Sequence, residues 1–183
     1  MEEKTKMLNE VKTSSVLSEL NTLFKGGSEF VEATDKCGAI KGKTHIDNQI
    51  ETLIKNAEKR VLLHTTSAEL PKDVERLMDV FKKISGRGVK ITVAAPITKD
   101  NEDVLKELST VADIKNTNDK ARFVVVDGKS LMFMMLEENE VHPSYDAGIW
   151  VDTGFFAGAV EKMFDSRARE FSQESKLQLK NKN

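Results

Sequence analysis

The hydrophobic positions change rhythm along the chain, and each rhythm predicts an element. Over 3–24 (EKTKMLNEVKTSSVLSELNTLF), Met7, Val11, Leu17, Leu20 and Phe24 recur at three-to-four spacing around a polar break at 13–15. This predicts an amphipathic helix ended by Gly26 and Gly27. Its apolar stripe has no partner within the segment. The helix is therefore expected to lie on the following domain or to pair with its counterpart in a second chain, which makes Leu17, Leu20 and Phe24 candidate interface residues. After an irregular or extended piece through EFVEATDKCGAIKG, Ile46, Ile50, Leu53, Ile54 and Ala57 mark one helix face, and RVLLHTT at 60–66 reads as a buried strand. Pro71 opens a second helix with Val74, Leu77, Met78, Phe81 and Ile84 inward and Gly86 closing it. GVKITVAAP at 88–96 predicts a strand, Val104, Leu105 and Leu108 a short helix, and ADIKN an edge strand. Alternation of this kind argues for parallel βαβ units.

Later the pattern becomes antiparallel. RFVVVDGKSLMFMML is two apolar runs joined by Asp127-Gly128, a strong hairpin signal, and AGIWVD at 147–152 is a further strand. A last helix starts near Thr153, with Phe156, Val160, Met163, Phe164 and Phe171 on its inner face. The expected organisation is an amphipathic linker-type helix over 1–27, an α/β domain over 28–175 with a mixed β-sheet flanked by helices, and a disordered tail over 176–183.

Composition narrows the class. The 183 residues suit one domain with a substantial core, and 39% hydrophobic against 32% charged residues describes a soluble globular protein. No apolar run approaches the ~18 residues that a membrane span needs. The charged opening MEEKTKMLNE lacks the apolar core of a signal peptide, so a cytoplasmic location is expected, without membrane contact. The single cysteine, Cys37, excludes an internal disulfide and a cysteine-based metal cluster, and is expected to be a small packing residue. A net charge of −2 with scattered Lys and Arg offers no basic patch, so direct nucleic-acid binding by this chain is not expected.

Candidate chemistry gathers at a few places. His64, Thr65 and Thr66 lie at the C-terminal end of a predicted strand, the edge that ligands favour in open α/β sheets. They read either as a satisfied strand end or as contacts for a sugar or phosphate. Lys120 and Arg122 precede the FVVV strand, and two-residue spacing predicts that they share a face. They read as a solvated strand entry or as an anion clamp. Asp127 is explained as the first central residue of a type I′ turn. Trp150 is expected in the core, while Tyr145 either covers a loop or belongs to a partner surface. No metal-ligand spacing and no glycine-rich phosphate loop is visible, so no metal and no cofactor is expected.

Two segments, AIKGKTHIDNQIETLIKNAEKRVLLHTT…GRGVKITVAAP and RFVVVDGKSLMFMML…YDAGIWVDTGFFAGAVEKMFD, resemble the phospholipase-D-like domain of TrmB-type archaeal transcription regulators over about residues 38–171. In that family a winged-helix DNA-binding domain and a coiled-coil linker usually come first, and residues 3–24 correspond to the linker. The resemblance implies a regulatory and dimerisation module that forms homodimers, or pairs with a winged-helix regulator, and acts through protein contacts, with small-molecule sensing left open. Phospholipase-D-type phosphodiesterases carry His-x-Lys-x-x-x-x-Asp, and Lys120, Arg122 and Asp127 stand in those places. The nucleophilic histidine is thus replaced by a lysine, which is protonated at neutral pH and has no lone pair to attack phosphorus. No catalytic residue and no enzyme activity is expected. The alternatives are a divergent phosphodiesterase or nuclease, and a stand-alone sugar or phosphate sensor.

Overall fold

The computed structural model of the chain describes residues 36–137 and 142–166. The chain divides into two compact units between Asp35 and Lys36, and every described residue belongs to the second. The helix expected over 3–24, the tail over 176–183 and Phe171 lie outside the described residues, as do the interface candidates Leu17, Leu20 and Phe24.

The elements follow the predicted rhythm: β1 (Cys37–Lys41), α1 (Lys43–Lys55), β2 (Arg60–His64), α2 (Leu70–Gly86), β3 (Lys90–Ala95), α3 (Glu102–Leu108), β4 (Asp113–Asn116), β5 (Phe123–Val126), β6 (Ser130–Met134), β7 (Ala147–Asp152) and a helix α4 over 154–166. Single 3-10 turns occupy Lys99–Asn101 and Pro143–Tyr145. The strands form one seven-stranded sheet in the order β1-β7-β6-β5-β2-β3-β4. β2, β3 and β4 run parallel, as the βαβ rhythm requires, and the other pairings are antiparallel.

The two faces of the sheet are packed unequally. α1, α2 and α3 cover one face through Ile46, Ile50, Ile54, Leu77, Phe81 and Leu108, which meet Val61, Leu63, Val93 and Val124 in a large core. On the opposite face the core is small, with Leu62, Val125, Leu131 and Ala157 joined by half-buried Phe123, Val160 and Phe164. Arg60 holds α4 there, with both guanidinium nitrogens donating to Asp165 at 2.7 and 2.8 Å and Glu161 at 3.1 Å.

The hairpin between β5 and β6 forms as its dipeptide predicts, with Asp127 and Gly128 at φ 55° and 64°. Several expectations change. The piece read as irregular or extended contains β1, whose alternating exposure suits an edge strand. Gly38 permits its close approach to β7, since a Cβ there would sit 2.7 Å from the Trp150 indole nitrogen. Cys37 is exposed on this edge rather than packed in the core. Trp150 is half-buried against the larger core, not sealed within it. On α4 the inner face is Ala157, Val160 and Phe164, whereas Phe156 and Met163 are exposed, because the single helix touches the sheet along one narrow line.

Candidate functional site

Antiparallel pairing sets His64, the last residue of β2, directly beside Phe123, the first of β5. The candidates His64, Thr65, Thr66, Lys120 and Arg122 therefore reach the same end of the sheet. They do not form one site, because they separate onto its two faces.

On the thickly packed face lies a knot of buried charge. The Glu69 carboxylate, 3% exposed, takes Lys43 at 2.5 Å, Lys72 at 2.6 Å and the Arg122 guanidinium at 3.5 Å. Burial pushes this carboxyl up, but the hydrogen bonds from Lys43 and Lys72 and the charge of Arg122 outweigh it and leave it below the ordinary glutamate value. Thr65 belongs to the same face, donating its hydroxyl to Asp73 at 2.7 Å, and Asp73 accepts from Arg76 at 2.8 Å. Arg76 also donates to the Asp47 carbonyl at 2.7 Å, so β2, α1 and α2 are clasped together. The Thr66 hydroxyl accepts from the Glu69 N–H at 3.3 Å and so helps start α2. Thr65, Thr66 and Arg122 thus serve the fold at this corner.

On the other face His64 is buried and stacked on Phe123, ring centroids 4.9 Å apart, with Phe164 edge-on at 6.0 Å. Its Nδ1 lies 2.6 Å from the Ala121 carbonyl oxygen. A carbonyl only accepts, so Nδ1 carries the hydrogen and, in the neutral ring, Nε2 keeps a lone pair. Burial holds the imidazole below its ordinary pKa despite that hydrogen bond. Beside it a cavity of about 420 Å³ opens between the segment carrying Asp119 and Lys120 and the α4 side chains Val160, Met163 and Phe164. Lys120 is on the rim, largely exposed, and 3.3 Å from Glu137. The expectation that Lys120 and Arg122 share a face fails here. Residues 117–122 are not a strand, so the two-residue alternation has not yet begun.

Asp127 sits at the far end of β5, beside Arg60 at the start of β2. Its carboxylate accepts the backbone N–H groups of Glu58, Lys59 and Arg60 at 3.0, 2.7 and 2.8 Å. Burial raises this carboxyl, and those bonds more than reverse the effect. The turn geometry was legible in the dipeptide, but the capping role was not. Glu69, Lys43, Lys72 and Arg76 were also missed, although Glu69 two residues before Pro71 was a signal of a helix start rich in charge.

Tyr145 is 62% exposed, with the Lys41 ammonium 4.8 Å from its ring centroid. Close by, a second cavity of about 390 Å³ at the start of α1 is lined by Lys41, Lys43, His45 and Ser144. Among the described residues no group of His, Cys, Asp and Glu is arranged to hold a metal ion, and no helix is long and apolar enough to cross a membrane.

Sheet order, helix placement and the hairpin after Arg122 define a phospholipase-D-like α/β fold. It is similar to NucT from Helicobacter pylori (TM-score 0.58, 12% identity, over 72% of this chain and 94% of that one). It is also similar to Nuc from Salmonella typhimurium, a phospholipase D family member (TM-score 0.53, 12% identity, over 72% and 94%). The family follows from the sequence: the family model for the transcriptional regulator TrmB, EBD N-terminal subdomain, matches residues 38–173, and the chain belongs to that family. A solved structure of TrmBL2, described as an archaeal chromatin protein with a novel mode of DNA binding, shares the fold at TM-score 0.56 and 15% identity, over 94% of this chain. This chain spans 65% of the length of that one. No curated protein matches it in sequence.

Proposed function

We propose that this chain is the non-catalytic regulatory and dimerisation module of a TrmB-type transcription regulator, acting through protein contacts and small-molecule sensing. Family membership supports the regulatory role. The observation that carries the absence of catalysis is the dispersal of the motif positions. Lys120 is on the surface of one sheet face, Arg122 is buried against Glu69 on the other, and Asp127 is committed to three backbone N–H groups a strand length away. A nucleophile and a phosphate clamp must converge on one phosphorus atom, and this arrangement does not bring them together.

In this reading residues 1–27 form a linker-type helix that pairs two copies through Leu17, Leu20 and Phe24, residues 28–175 are the regulatory domain, and 176–183 is a tail. DNA is contacted by a winged-helix partner rather than by this domain, and the protein works in the cytoplasm as a homodimer. The test joins two measurements on the full chain. Incubation with bis(p-nitrophenyl) phosphate and with single-stranded DNA should give no turnover, and sedimentation should give a dimer. Turnover that disappears in Lys120→Ala would sink the reading in favour of a phosphodiesterase, and a monomer at all concentrations would remove its dimerisation half.

A further inference from the structure

We infer that the cavity between the 119–121 segment and α4 is the sensing site, and that its ligand is a small uncharged aromatic molecule bearing an N–H or O–H donor. The inference rests on the regulatory reading and adds to it the place and the ligand chemistry. At about 420 Å³ the cavity falls within the range of small-molecule sites, about 300–1,000 Å³.

Its two walls differ in kind. Phe123, Val160, Met163 and Phe164 are apolar, and two of them are aromatic, a surface suited to an apolar ring. The opposite wall holds His64, Asp119 and Lys120. The His64 ring is fixed by its hydrogen bond to Ala121 and by stacking on Phe123, so its Nε2 lone pair is an acceptor with a defined position. With His64 an acceptor, donors are favoured on the ligand, and the cation on this wall, Lys120, already lies 3.3 Å from Glu137, so a phosphate fits poorly. A sugar fits poorly as well, since hydroxyls set against Val160 and Met163 would lose water without gaining a partner.

Indole is a suitable probe, with indene as the isostere that lacks the donor. Isothermal titration with the full chain should show indole binding about tenfold more tightly than indene, the size of one hydrogen bond to a buried acceptor. His64→Phe keeps a ring in the stack but removes the acceptor, and should abolish that preference. Met163→Trp alters an exposed position, so the fold is retained, and the larger ring at the rim should weaken both ligands. Unchanged circular dichroism confirms that each variant is folded. No indole binding at millimolar concentration, equal binding of indole and indene, or tighter binding of glucose or inorganic phosphate would overturn the inference. None of these results would produce phosphodiester turnover, so failure here is distinguishable from failure of the regulatory reading.

Discussion

The two faces of the sheet use aromatic and charged residues in opposite ways. Where α1, α2 and α3 pack, Phe81 and Leu77 are fully buried, and Glu69, Asp73 and Arg122 are drawn inside as a partnered knot. Where α4 packs, the described core is a handful of residues, Arg60 anchors the helix, Asp119 and Lys120 stand at the cavity, and Phe155 is 91% exposed. On the thick face Glu69 and Asp73 are committed to neighbouring side chains. The thinner face keeps a cavity, an imidazole lone pair and uncovered apolar side chains, and these are the features that recognition requires. In the reading proposed above, stability and recognition are divided between the two sides of one sheet.

Substitutions can break that division, beginning with the largest effect. Phe81→Ala leaves a cavity in the thick core and should cost about 4 kcal/mol in urea unfolding. Glu69→Gln removes the carboxylate that balances Lys43, Lys72 and Arg122, and should cost about 3 kcal/mol. Asp127→Ala loses three accepted N–H bonds and places alanine at positive φ, for about 2 kcal/mol, whereas Asp127→Asn should lose less. On the thin face, Phe155→Ser should change stability by no more than about 0.5 kcal/mol.

A pH titration sharpens the same contrast. Glu69 and Asp127 both titrate below their ordinary values, so the stability each adds is complete above the unfolded-state carboxyl pKa and is lost as pH falls through the folded value. Wild type should therefore lose stability on acidification below about pH 4.5, and both Glu69→Gln and Asp127→Asn should flatten that loss.

Much of this architecture was legible where periodicity was strong. The inward residues of α1 and α2, the parallel β2-β3 pair and the Asp127-Gly128 turn all follow from spacing and turn chemistry. β1 was read only as part of an irregular or extended piece, because an edge strand bounded by lysines has no continuous apolar run. The faces of α4 were misjudged because the helix carries more aromatic residues than its narrow contact can bury, and sequence does not say which remain outside. For the candidate site, sequence reasoning grouped its residues at one end of the sheet but did not foresee their separation onto two faces. His64 and Lys120 border one cavity, while Arg122, Thr65 and Thr66 face the charged knot or the start of α2. Only the third dimension shows that split.

The central proposal is that the two basic residues ahead of β5 have parted, Arg122 serving the fold and Lys120 standing outside it. Urea unfolding of Lys120→Ala and Arg122→Ala, measured side by side, tests it directly. Lys120→Ala should match wild type within about 0.5 kcal/mol, because the side chain is exposed. Arg122→Ala should lose about 3 kcal/mol, because a buried charge partner of Glu69 is removed. Equal and small losses in the two variants would contradict the account and return the pair to a shared role on the surface.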